Sequence, residues 1–143
     1  MSELMARPVI PIAGEEDAKQ TYERVAPYLN ADADVLVVNV IEKAGGGIDK
    51  ASVEQRKIVA EEAFAVFQAR ATQDDIHVET SIRYDTDIAD AIKAAARDHD
   101  ASCISFVARG GGRLVEFLSG SVRSRLTIDN DVPVVVLPRG TAE

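Results

Sequence analysis

The residues best suited to chemistry lie in one stretch, VARGGGRLVEFLSGSV, running from Val107 to Val122. Gly110, Gly111 and Gly112 carry no Cβ, so backbone amides there can come close to an anion. Gly120-Ser121 reads as the opening of a helix, whose first N–H groups and positive dipole end favour negative charge. The Ser121 hydroxyl can donate to a phosphate oxygen, and Arg109, Arg113 and Arg123 stand close enough in sequence to neutralise phosphate charge. A plainer reading fits the same residues: a tight glycine turn, Ser121 as an ordinary helix N-cap and three surface arginines. No Walker GxxxxGK[ST] and no GxGxxG after the first strand competes for the phosphate role.

Few other groups promise chemistry. Cys103 is the one cysteine and sits in an apolar run, so no internal disulfide forms and it reads as a small buried hydrophobe. With only His77 and His99 besides, no His–Cys spacing suggests a structural zinc, and no metal ligands are assigned. His77 opens a predicted strand and His99 closes a helix, far from the glycine segment. Glu15 and Glu16 read as first-turn helix acids and Glu116 as a solvent-facing residue. Neither a general base nor a nucleophile is placed beside the phosphates, so no catalytic residue is assigned and no enzyme activity is expected.

Composition narrows the partners. The chain has 24 acidic against 16 basic residues, a formal charge of −8, which disfavours duplex nucleic acid. Eleven of the basic residues are Arg and five are Lys; an acid excess with few lysines suits solubility in high salt. No apolar stretch reaches the roughly 20 residues of a membrane span. The N-terminus has no apolar run of signal-peptide type, so a cytoplasmic location is expected. A length of 143 residues suits one domain over residues 1–143, with a real core.

The elements alternate. Pro8–Ile12 predicts a strand ended by Ala13-Gly14, followed by a helix from about Glu15 to Leu29 with Ala18, Tyr22, Val25, Ala26 and Leu29 on one face. Val35–Ile41 (VLVVNVI) reads as a strand covered on both faces. Gly45-Gly46-Gly47 suggests a flexible connection, and the next helix, about Ser52 to Arg70, puts Val59, Ala63, Val66 and Phe67 on its core stripe. His77–Tyr84 alternates as a strand at or near a sheet edge. A helix over Asp87–His99 turns Ile88, Ala91, Ile92 and Ala95 inward. Ser102–Val107 predicts a buried strand, Ser121–Ile128 a short helix and Val132–Leu137 the closing strand.

Strand–helix alternation with short loops means parallel strands joined by right-handed crossovers. The expected fold is an α/β, doubly wound, Rossmann-like five-stranded parallel sheet of order 3-2-1-4-5 with helices on both faces. Ligands of such sheets bind beyond the carboxyl ends of the strands at the switch point. Those ends are Ala13-Gly14 and Arg109–Gly112, so topology and glycine segment name the same crevice.

Nine residues separate Gly110 from Gly120, which Ser121-Val122 follow. This resembles the G-x2-G-x9-G-[ST] nucleotide signature of the universal stress protein family. PVIPIAG is similar to that family's opening strand and turn, VLVVNVIE to its second strand and DVPVVVLPR to its last. The resemblance implies a stress-response regulatory domain that, in one branch, binds ATP, with magnesium as its companion ion. Pro11, Ala13 and Gly14 would line the first wall, and Val40 would face the base through its backbone. Val107, Arg109, Gly110, Gly111, Gly112 and Arg113 would wrap ribose and phosphates, while Gly120, Ser121 and Val122 hold the phosphates.

The sequence departs from the family pattern at four positions. Ala13 replaces the acid after the first strand, Val107 the first signature glycine, Thr86 a loop glycine and Ser102 an Asp before the fourth strand. A β-branched Val107 adds bulk where backbone should meet ligand. Two readings follow: a protein binding ATP or a related nucleotide or phosphate ligand, and a dimeric interaction module that has lost ATP binding. The VVVL run between Pro133 and Pro138 would be an apolar sheet edge, so a homodimer pairing Val132–Leu137 with its copy is expected.

Overall fold

Pro11 marks the point at which the centre of the sheet stops being a sheet. The computed structural model of the chain describes residues 4–42, 50–107, 120–128 and 131–138. Within these, β1 (Pro8–Pro11), β2 (Asp34–Glu42), β3 (His77–Asp85), β4 (Cys103–Val107) and β5 (Val134–Leu137) form one parallel sheet of order β3-β2-β1-β4-β5. That is the expected doubly wound order. Ile12 N–H donates to the Val38 carbonyl at 2.9 Å, so even-numbered residues of β1 aim their backbone at β2. Val9 and Pro11 therefore face β4. Proline has no N–H to give, and the β1–β4 register ends at Val9↔Ile104.

Among the described residues four α-helices cover the two faces: α1 (Glu15–Val25), α2 (Lys50–Gln73), α3 (Ile88–His99) and α4 (Gly120–Thr127). Strand alternation sorts the core. Ile10, Val35, Val37 and Cys103 pack under α1 and α2 with Ala18, Tyr22, Val25, Ala63 and Phe67. Val9, Leu36, Val38, Ile104 and Phe106 pack under α3 and α4 with Ile88, Ile92, Ala95 and Leu126. Tyr22 and Phe67 meet edge to face, with ring centroids 5.1 Å apart, and the Tyr22 hydroxyl donates to Asp74 just past α2.

Two sequence expectations needed correcting. The first helix stops at Val25 and tightens into a 3-10 turn over Ala26–Tyr28, because Pro27 cannot donate to the preceding turn. The core stripe of α2 is Ala60, Ala63, Phe64, Phe67 and Ala71, and Val59 is 40% exposed. Apolar residues surround α2 on several sides, so periodicity alone could not choose the buried face. The edge position of β3 agrees with its alternation, and Cys103 is buried as expected.

Polar ties fix both ends of the sheet. At the amino ends of the strands, Arg7 bridges Asp34 at 2.6 Å and the His99 carbonyl at 2.6 Å, while its N–H donates to Ser102 Oγ at 2.9 Å. Ser102 in turn donates to the Leu4 carbonyl at 2.6 Å. At the carboxyl ends, Asp87 caps α3 by accepting from Asp90 N–H at 2.9 Å. Arg125 of α4 pairs with Asp87 and, at 3.2 Å, with Asp90. Lys93 donates to the Ile128 carbonyl at 3.2 Å, so the C-terminal end of α4 is held to α3 by both contacts. Among the described residues no helix is long and apolar enough to cross a membrane.

Phe67 is fully buried between the sheet and α1. Phe67→Ala is expected to cost about 3–5 kcal/mol, read as a lowered midpoint in urea denaturation followed by circular dichroism.

Candidate functional site

Past Ile12 the backbones of β1 and β2 part, and the Asn39 side chain fills the gap in hydrogen bonding. Its amide donates to the carbonyls of Ile12 at 3.0 Å and Ala13 at 2.8 Å. The Ala13 N–H donates to Asp17 of α1 at 2.7 Å, and the Gly14 carbonyl accepts from Ala18 N–H at 2.8 Å as α1 begins. The turn after β1 is thus held rigidly by β2 on one side and α1 on the other. Val38 N–H and C=O share one ladder phase with those of Val40, so Val40 also aims its backbone toward β1, at a level that β1 no longer reaches.

A cavity of about 300 Å³ opens beside this turn. It is lined by Ile12, Ala13 and Gly14, by Asn39, Val40 and Ile41 at the end of β2, and by Gln55, Arg56 and Val59 of α2. The walls are mainly apolar side chain and backbone, with a few polar groups, as small-molecule sites usually are. A Cβ added at Gly14 would meet nothing within 4 Å, so the floor there is open. α4 runs antiparallel to the strands it joins, which brings its first turn, at Gly120 and Ser121, to the same end of the sheet.

Ala13, Gly14 and Val40 therefore meet in one cavity, as the sequence suggested. Pro11 ends β1 and is buried, with Ile12 beside it taking the lining position. Val107 is the last residue of β4, half-buried and paired with Leu137. Val122 packs its side chain against the core cluster beneath α3 and α4. Arg109, Gly110, Gly111, Gly112 and Arg113 lie outside the described residues, as do Glu116 and the Gly45–Gly47 run. Asn39, Gln55 and Arg56 were not singled out in the sequence, and Val59 was expected in the core stripe of its helix rather than at a cavity. For Asn39 a signal existed: one amide interrupts an otherwise apolar strand, where a buried polar group needs partners.

The match to a family model, described as the universal stress protein family, spans residues 5–138. The chain belongs to the universal stress protein family. A search of curated proteins returned no match. Solved structures share the fold. A universal stress protein from Archaeoglobus fulgidus in complex with dAMP superposes with a TM-score of 0.66 at 18% identity, covering 94% of this chain and 98% of that one. A family member from Burkholderia pseudomallei gives 0.67 at 23% identity, with 96% and 99% covered. One from Arabidopsis thaliana with AMP bound gives 0.66 at 14% identity, with 95% and 93% covered.

Within this family member, Asp17 is a buried acid behind the wall that Ala13 forms. Burial pushes its carboxyl up to about 6, against the smaller opposing pull of hydrogen bonds from Ala13 N–H and the Thr21 hydroxyl. A raised acid pKa means that the folded state holds the proton more tightly than the unfolded chain. The folded form then loses stability as pH climbs from about 4 through 6. Asp17→Asn keeps an oxygen acceptor for Ala13 N–H and removes the charge. The variant is expected to melt above the parent at pH 7.5, by about 1–3 kcal/mol, with the two converging below pH 4 in thermal melts across pH.

Proposed function

We propose that the chain binds an adenine nucleotide at the carboxyl ends of β1 and β2 and serves as a non-catalytic regulatory protein of the stress response. The observation that carries this reading is the cavity itself: Ala13, Gly14 and Val40 line it beyond the carboxyl ends of β1 and β2, the end of a doubly wound sheet that takes ligands. Its volume of about 300 Å³ is at the lower end for small-molecule sites and suits the nucleoside part of the ligand. The unspent ladder phase of Val40 offers a donor and an acceptor side by side, the pattern that the edge of adenine complements. Phosphates would extend to the first turn of α4, where helix N–H groups and dipole favour anions. The relatives crystallised with dAMP and AMP support a nucleotide of that size.

ATP enters the same cavity through the same nucleoside. No carboxylate is among the described lining residues, so a magnesium ion would ride on the phosphates rather than on this wall.

Calorimetric titration with AMP, ATP–magnesium and adenosine tests the reading. Micromolar to millimolar binding is expected, and absence of heat and of a thermal shift at millimolar ligand would sink it. Gly120→Val puts a branched side chain where the phosphate should sit. The variant is expected to bind AMP at least tenfold more weakly while adenosine binding stays the same.

The second reading, a dimeric module without nucleotide, rests on the sheet edge. β5 is an edge strand, and Val136 on it is 49% exposed. Pairing of β5 with its copy about a twofold axis is compatible with either reading and would cover that edge. Light scattering at micromolar concentration should give the mass of a dimer for the parent chain and of a monomer for Val136→Lys. A parent monomer would refute the pairing.

A further inference from the structure

We propose that Asp34, His77 and Glu79 form a binding site for a first-row divalent transition metal such as zinc, at the amino end of β2 and β3. Strand geometry brings the three together. His77 and Glu79 are two apart on β3 and so point to one face, and the parallel register sets Asp34 of β2 directly beside His77. One ligand atom from each lies within 4.8 Å of the other two, and His77 Nε2 stands 3.4 Å from Glu79 Oε2. Tetrahedral zinc bonds of roughly 2.0–2.2 Å set ligand atoms about 3.4 Å apart, which the His77–Glu79 pair already meets. His77 and Glu79 have side chains 66% and 57% exposed, so both can turn inward without disturbing the core.

A second observation points to a cation. Asp34 Oδ2 pairs with Arg7, but Asp34 Oδ1 is buried and has no hydrogen-bond partner among the described residues. A buried carboxylate oxygen without a donor is costly, and a metal bond would satisfy it. His99, the other imidazole nearby, spends its Nε2 on the Asp34 carbonyl at 2.9 Å and is no competitor. Two carboxylates against the single Arg7 guanidinium leave the cluster negative, as a cation requires. One imidazole with two carboxylates is a mixed N/O set that suits zinc or copper better than magnesium or calcium.

The site is separate from the nucleotide cavity. Asp34 and Val40 are six residues apart on one strand, roughly 20 Å at 3.3 Å per residue. A bound ion would clip the edge strand β3 to β2, and binding to the folded state alone would raise the melting temperature with metal concentration.

The test uses the full chain without a polyhistidine tag, titrated with zinc chloride by calorimetry. One site with a micromolar dissociation constant is expected, weakened at least tenfold in His77→Ala and in Glu79→Gln. Both substitutions fall on exposed side chains, so the variants should fold, and circular dichroism checks that they do. Substoichiometric copper(II) should broaden amide NMR signals around residues 34 and 77–79. The proposal is overturned by absence of zinc binding at 1 mM, by unchanged affinity in both variants, or by copper broadening centred elsewhere.

Discussion

One missing hydrogen sets the shape of this protein's crevice. β1 must pair with β2 and β4 at once, yet Pro11 has no N–H for the rung that would follow Val9↔Ile104. The central strand therefore detaches from β4 while β2 runs on to Glu42. A continuous ladder would have closed the carboxyl end of the sheet. Just beyond this point come the turn at Ala13-Gly14 and, on its β2 side, the cavity.

An opened ladder strands backbone polar groups, and the surrounding residues show how each is satisfied. Asn39 donates to two carbonyls of the turn, and Asp17 accepts the Ala13 amide from inside α1. Neither side chain can move without releasing buried backbone groups, at about 1–3 kcal/mol each. The wall is consequently stiff and nearly spent in its own bonding, leaving Val40 as its main polar feature. Asp17 also answers a question raised by Ala13. The acid missing from the usual place has a neighbour one helical turn on, but this one faces the protein interior and holds the wall instead of lining the cavity.

The position of α4 depends on charge as well as on packing. α4 is short, with Leu126 buried and Val122 packed against the same cluster, and its last turn is tied to α3 by Arg125 against Asp87 and Asp90 and by Lys93 on the Ile128 carbonyl. The same Asp87 caps α3, which couples the start of α3 to the last turn of α4.

By itself the sequence determined the strand order, the central crevice and the family, because continuous apolar runs, turn glycines and helix caps are local signals that agree with one another. It also named Ala13, Gly14 and Val40, which the structure brings together along one cavity. It did not determine which face of α2 would be buried, because apolar residues lie on several sides of that helix; packing alone sent Ala60 inward and Val59 to the cavity. Nor could it show that Gln55 and Arg56 meet the end of β2, that Asp17 would be buried, or that Asp34 stands beside His77. Those are contacts between residues far apart in the chain, fixed by parallel register and by which helix covers which face. The segment from Gly110 to Gly112 lies outside the described residues. What the tertiary structure decided is the cavity wall at the ends of β1 and β2, which Asn39 and Asp17 hold by hydrogen bonds to backbone groups of Ile12 and Ala13, outside their own ladder.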